Sequence, residues 1–141
     1  MMAQGYARTY RRNAVLTASP GQLVLMLYDG VLKSLALTRV AFARPESDYT
    51  RIAAINQHIL KAQAILNELQ SGLNLEAGGE FARTMDRLYD YHMRRLLEAN
   101  LRKTEEPVVE VERLVGELRE AWAQMLTQQS EGSLERVRVV A

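Results

Sequence analysis

The stretch Ile52–Leu73, IAAINQHILKAQAILNELQSGL, carries Ile52, Ile55, Ile59, Ala62, Leu66, Leu69 and Leu73 at alternating steps of three and four residues. That is an unbroken heptad seam, the signature of helices packed at about 20° to one another. It predicts a helix from Ser47 or Asp48 to about Ser71-Gly72. An amphipathic helix gains most of its stability by packing its apolar face on other elements, so the seam calls for further helices on either side.

Upstream, Ser19-Pro20-Gly21-Gln22 is a strong helix start. Ser19 can cap, Pro20 suits the first helical position, and Gln22 completes a capping box. This helix is expected to reach about Ala43, with Leu23, Leu27, Val31 and Leu35 on one stripe. Pro45 ends it, because the residue before a proline is pushed out of the helical region. Downstream, Gly78-Gly79 punctuates a loop before a helix over about Glu80–Lys103, with Phe81, Met85, Leu88, Leu96 and Ala99 inward. A second stripe of Tyr89, Met93 and Leu97 widens its apolar face. Thr104 to Pro107 breaks the chain, and a last helix runs to about Gln128 on Val108, Val111, Val115, Leu118, Trp122 and Met125. The expected fold is all-α: an antiparallel up-down four-helix bundle over residues 19–128. A mobile N-terminal arm, residues 1–18, precedes it, and a frayed tail, residues 129–141, follows.

Composition agrees. A chain of 141 residues holds one domain and buries enough surface to need neither disulfide nor metal. Cysteine is absent, which removes disulfides, zinc–thiolate sites and thiol nucleophiles together. Eighteen basic residues against seventeen acidic leave a net charge of +1, with no basic block of the kind that binds nucleic acid. The most apolar stretch, Gln22 to Ala43, is interrupted by Asp29, Lys33 and Arg39, so membrane insertion is not expected. No secretory signal opens the chain, and an intracellular location is the expectation.

Catalysis has little to stand on. A di-iron bundle needs Glu-x-x-His pairs, and the sequence has none and only two histidines. Neither a phosphate loop nor a nucleophile elbow is present. No catalytic residue, metal or cofactor is therefore expected. His58 beside Lys61 permits one alternative, a histidine phosphotransfer bundle with His58 as phospho-acceptor, although a boundary histidine beside the Ile55–Ile59 seam is the simpler reading. His92 reads as a packed, hydrogen-bonded side chain. A generic helical adaptor is a further alternative. The informative feature is apolar excess: Leu23, Val24, Met26, Leu27 and Tyr28 on the first helix, and Met85, Tyr89, Tyr91 and Met93 on the third, exceed the three positions in seven that a bundle helix turns inward. Methionine and tyrosine suit a surface that accepts another chain, while a thick core with scattered surface hydrophobes is the plainer alternative for the same residues.

Several segments together resemble the flagellar chaperone family FliS. They are Tyr10-Arg11-Arg12-Asn13-Ala14-Val15, Ala18-Ser19-Pro20-Gly21-Gln22-Leu23 and Met26-Leu27-Tyr28-Asp29-Gly30, then Leu88-Tyr89-Asp90-Tyr91, Glu98-Ala99-Asn100 and Leu118-Arg119-Glu120-Ala121-Trp122. The likeness spans about residues 6 to 127, departing at Ala14 where many members have serine. It implies a non-enzymatic, cytoplasmic export chaperone that binds the disordered C-terminal segment of flagellin, blocks premature polymerisation and aids delivery to the flagellar type III export gate. It also implies an arm that covers part of the binding surface until flagellin displaces it. Self-association of the free chain stays open. A disordered partner loses entropy on ordering, so a large pre-formed apolar surface must offset that loss. Partner contacts are expected at Tyr10, Val15, Leu27, Tyr28, Leu66, Met85, Tyr89 and Met93.

Overall fold

Ser19 and Gln22 form the reciprocal cap that their spacing predicts. The Gln22 amide donates to Ser19 Oγ at 3.2 Å, and the Ser19 amide donates to Gln22 Oε1 at 3.1 Å. From this cap helix α1 runs over Pro20–Phe42 in the computed structural model, which describes the backbone of residues 19–140 and the side chains of residues 19–129. The arm, with Tyr10 and Val15, lies outside the described residues. Three more helices follow: α2 (Arg51–Ser71), α3 (Gly79–Arg102) and α4 (Glu106–Val140). The described residues hold no strand.

Helix α1 packs on α2 and α4, α2 on α3, and α3 on α4, which closes the ring of an up-down four-helix bundle. Its axis is filled by Val31 and Leu35 from α1, Ile55, Ile59 and Leu66 from α2, Leu96 from α3, and Val108, Val111 and Val115 from α4, all sealed from solvent. Each such side chain contributes about 1.5–3 kcal/mol through burial.

Four local differences from the sequence reading have physical causes. Helix α2 starts at Arg51, later than Ser47 or Asp48, because Asp48 Oδ1 accepts both the amide (2.8 Å) and the hydroxyl (2.5 Å) of Thr50 and holds a turn there. Ile52, in the first turn of α2, is half exposed, and Ala54 is buried there instead. Helix α4 continues as helix to Val140, past the Gln128 where its apolar pattern thins. The seam of α3 runs Ala82, Met85, Tyr89, His92, Leu96 and Ala99, so Phe81 falls off it and is 64% exposed. Leu88, expected inward, is half-buried beside the seam, and Tyr89, expected on the second stripe, lies on it. In this bundle Tyr89 and His92 complete the steps of three and four.

Helix α3 ends on Lys103 in the left-handed region (φ 51°), and the Lys103 ammonium donates back to the Asn100 carbonyl at 2.7 Å. Across the α1–α2 connection, the Arg51 guanidinium donates to the Phe42 carbonyl and lies 5.6 Å from the Phe42 ring centre, tying the end of α1 to the start of α2.

Candidate partner-binding cleft

At the end of the bundle where α1 begins, α2 ends and α3 begins, an apolar cleft of about 200 Å³ opens. Val24 and Leu27 come from α1, Leu69 from the last turns of α2, Leu73 from the loop beyond, Phe81 from α3 and Trp122 from α4. Its floor is Tyr28, Met85 and Tyr89, all buried. Gly21 lets α4 approach the first turn of α1: a Cβ there would lie 2.5 Å from Leu126 Cδ2. The same approach brings Trp122 Nε1 to the Gly21 carbonyl, to which it donates at 2.8 Å. Tryptophan thus presents its ring to the cleft with its one donor already satisfied.

The floor is rigid for a chemical reason. The hydroxyls of Tyr28 and Tyr89 share a buried hydrogen bond of 2.7 Å between α1 and α3. Burial raises both phenols above their ordinary value; for Tyr89 the bond to Tyr28 adds to the rise, and for Tyr28 the bond to Tyr89 opposes it. Both stay neutral, so the floor carries no charge under any ordinary condition.

The structure distributes the sequence-predicted contact residues unevenly. Leu27 is half-buried on the cleft wall. Tyr28, Met85 and Tyr89 belong to the interior and meet the cleft only as its base. Leu66 is wholly enclosed in the core. Met93 is half-buried in a separate groove between α2 and α3, with Gln63, Arg87, Asp90, Arg94 and Leu97. Tyr10 and Val15 lie outside the described residues. Phe81, Val24 and Leu73 are cleft residues that the contact list lacked; a bulky apolar residue two positions after the Gly78-Gly79 turn is the signal that could have flagged Phe81.

The two histidines differ: His58 is the boundary residue that the simpler reading expects, whereas His92 departs from its reading in one respect. His92 is packed in the core, but among the described residues neither ring nitrogen has a hydrogen-bond partner, contrary to the expected hydrogen-bonded side chain. The seam places it among apolar neighbours, and the Tyr91 ring nearby meets it edge-on at 6.0 Å. Burial lowers its basicity, with the Glu110 carboxylate opposing more weakly. His58 is half-buried in the groove between α1 and α2.

The fold and the cleft define an all-α bundle with an apolar recess. Among the described residues no group of three or more His, Cys, Asp or Glu could hold a metal, and no helix is long and apolar enough to cross a membrane. A family model described as flagellar protein FliS matches residues 2–129. The flagellar secretion chaperone FliS of Salmonella typhimurium is 39% identical over 123 residues, covering 86% of this chain and 87% of the relative. Its counterpart in Bacillus subtilis is 37% identical over 126 residues, with 89% and 90% covered, and that of Escherichia coli is 36% identical, with 87% and 88% covered. The chain belongs to the FliS family of flagellar proteins.

Proposed function

We propose that this protein is a flagellar secretion chaperone, not an enzyme, that holds the disordered C-terminal segment of flagellin in the cytoplasm. It keeps that segment from polymerising early and hands it to the export gate. The observation that carries the reading is the open apolar cleft over the Tyr28–Tyr89 floor, in a chain of this family. An amphipathic segment can set apolar anchors into such a recess at one-turn spacing. Leu27, Val24 and Phe81 make the direct contacts there, Met93 makes a second set in the α2–α3 groove, and Tyr28, Met85 and Tyr89 set the shape of the base. Leu66 acts only as core packing behind them.

The cleft lies at the end where α1 starts, and the reading gives the arm, through Tyr10 and Val15, the part of its reversible cover. An arm that covers the cleft 99% of the time weakens apparent affinity about a hundredfold and shields an aggregation-prone surface. Titrating a labelled peptide of the flagellin C-terminal segment tests the reading. Saturable binding is expected, weakened about tenfold or more by Leu27→Asp and strengthened by deleting residues 1–16. Absence of binding to both full-length and arm-deleted protein would refute it.

A further inference from the structure

The groove between α1 and α2 is separate from the cleft and differs from it in chemistry. It has a volume of about 710 Å³ and runs from Gly30 to Leu37 on α1 and from Gln57 to Ile65 on α2, about two helical turns or 10–12 Å on each wall. Leu37 and Leu60 stand 40% and 52% exposed along it, with Ile65 beneath. Gly30 keeps the floor low, since a Cβ there would press on Ile65 Cδ1 at 3.1 Å. Among the described residues its charged side chains are Lys33 and Lys61, and no carboxylate lines it.

Among the described residues both lysines are uncommitted. Among the described residues, ion pairs engage Arg39, Arg83, Arg95, Arg102, Arg113 and Arg119, while neither Lys33 nor Lys61 is in one. The nearest acids on the same two helices are turned elsewhere: Asp29 accepts from Arg119 of α4 at 2.9 Å, and Glu68 borders the apolar cleft. Exposed leucines beside two cations that are unpaired among the described residues, in a trough between antiparallel helices, match one kind of occupant. We propose that the α1–α2 groove is a second docking site, for an acidic amphipathic helix of a partner protein. The partner's apolar residues at i, i+3 and i+7 cover Leu37, Leu60 and Ile65, and its flanking carboxylates meet Lys33 and Lys61.

The test uses the full chain and a labelled helical peptide with leucines at i, i+3 and i+7 flanked by glutamates. Two control peptides carry lysine for each glutamate, or serine for each leucine. The glutamate–leucine peptide is expected to bind at least about tenfold more tightly than either control. Lys33→Glu with Lys61→Glu is expected to reverse the preference between the acidic and basic peptides. Leu60→Asp, at an exposed position, is expected to abolish binding with an unchanged melting temperature, and Phe81→Asp in the cleft to leave it as it was. Equal binding of the serine control would reduce the site to unspecific charge attraction and overturn the proposal. Binding that survives the double lysine reversal, or that is lost on Phe81→Asp, would overturn it too.

Discussion

The hydroxyl of Tyr28 on α1 meets the hydroxyl of Tyr89 on α3 at 2.7 Å in the buried interior, and this one bond joins two helices that are not neighbours in the ring. It also forms the floor of the apolar cleft. Replacing either tyrosine alone by phenylalanine leaves the other hydroxyl buried without its partner, at a cost of about 1–3 kcal/mol. Tyr28→Phe combined with Tyr89→Phe is expected to cost less than the sum of the two single changes. Urea unfolding of the three variants reads this out; strict additivity would mean the bond contributes nothing.

Leu66 and Phe81 separate core from site. Leu66→Ala opens a cavity in the sealed seam and is expected to lose about 2–5 kcal/mol of stability. Phe81→Ser removes a ring that is mostly in solvent and is expected to change the melting temperature little while weakening flagellin-peptide binding. Thermal melts and peptide titration on both variants check the contrast.

Trp122 is the single tryptophan of the chain and lines the cleft. Its emission is therefore expected to shift to shorter wavelength when the flagellin segment covers it, and to do so with the same midpoint as a labelled-peptide titration. An unchanged spectrum at saturation would place the guest elsewhere.

His92 imposes a pH dependence of definite sign. Its folded-state affinity for a proton is depressed by burial, whereas the unfolded residue titrates near about 6.5. Below that pH the unfolded chain takes up a proton that the native state resists, so stability falls as pH falls, by up to about 1.4 kcal/mol per pH unit inside the window. His92→Met fits an apolar seam and is expected to raise stability at neutral pH and flatten the curve between about pH 6.5 and the depressed value. Urea unfolding across pH 5–8 measures it; equal slopes in both proteins would show that His92 does not titrate during unfolding.

How much of this was legible in the residues follows from what each pattern encodes. The Ile55–Leu69 seam, the Ser19–Gln22 box and the breaks at Pro45, Gly78-Gly79 and Pro107 are local, and each acts through backbone chemistry or helical period alone. They were enough for four helices and their cyclic packing. Helix starts in turn-forming segments were less so, because the Asp48–Thr50 turn competes with the first turn of α2. The same holds for amphipathic residues. Tyr28, Tyr89 and His92 carry both apolar area and polar atoms, so their types alone do not say which side of the helix they take.

The chain's own order of residues determined the number of helices, the cap of the first and their antiparallel succession, since these depend on neighbours within a few positions. Only the packed bundle decided which apolar residues became floor and which became wall. Tyr28 lies sixty-one residues from Tyr89, and Trp122 a hundred and one from Gly21, and each pair meets only across assembled helices. The phase of one helix is set by the faces of the others, so whether Phe81, Leu60 or Leu66 meets solvent is a property of the assembly.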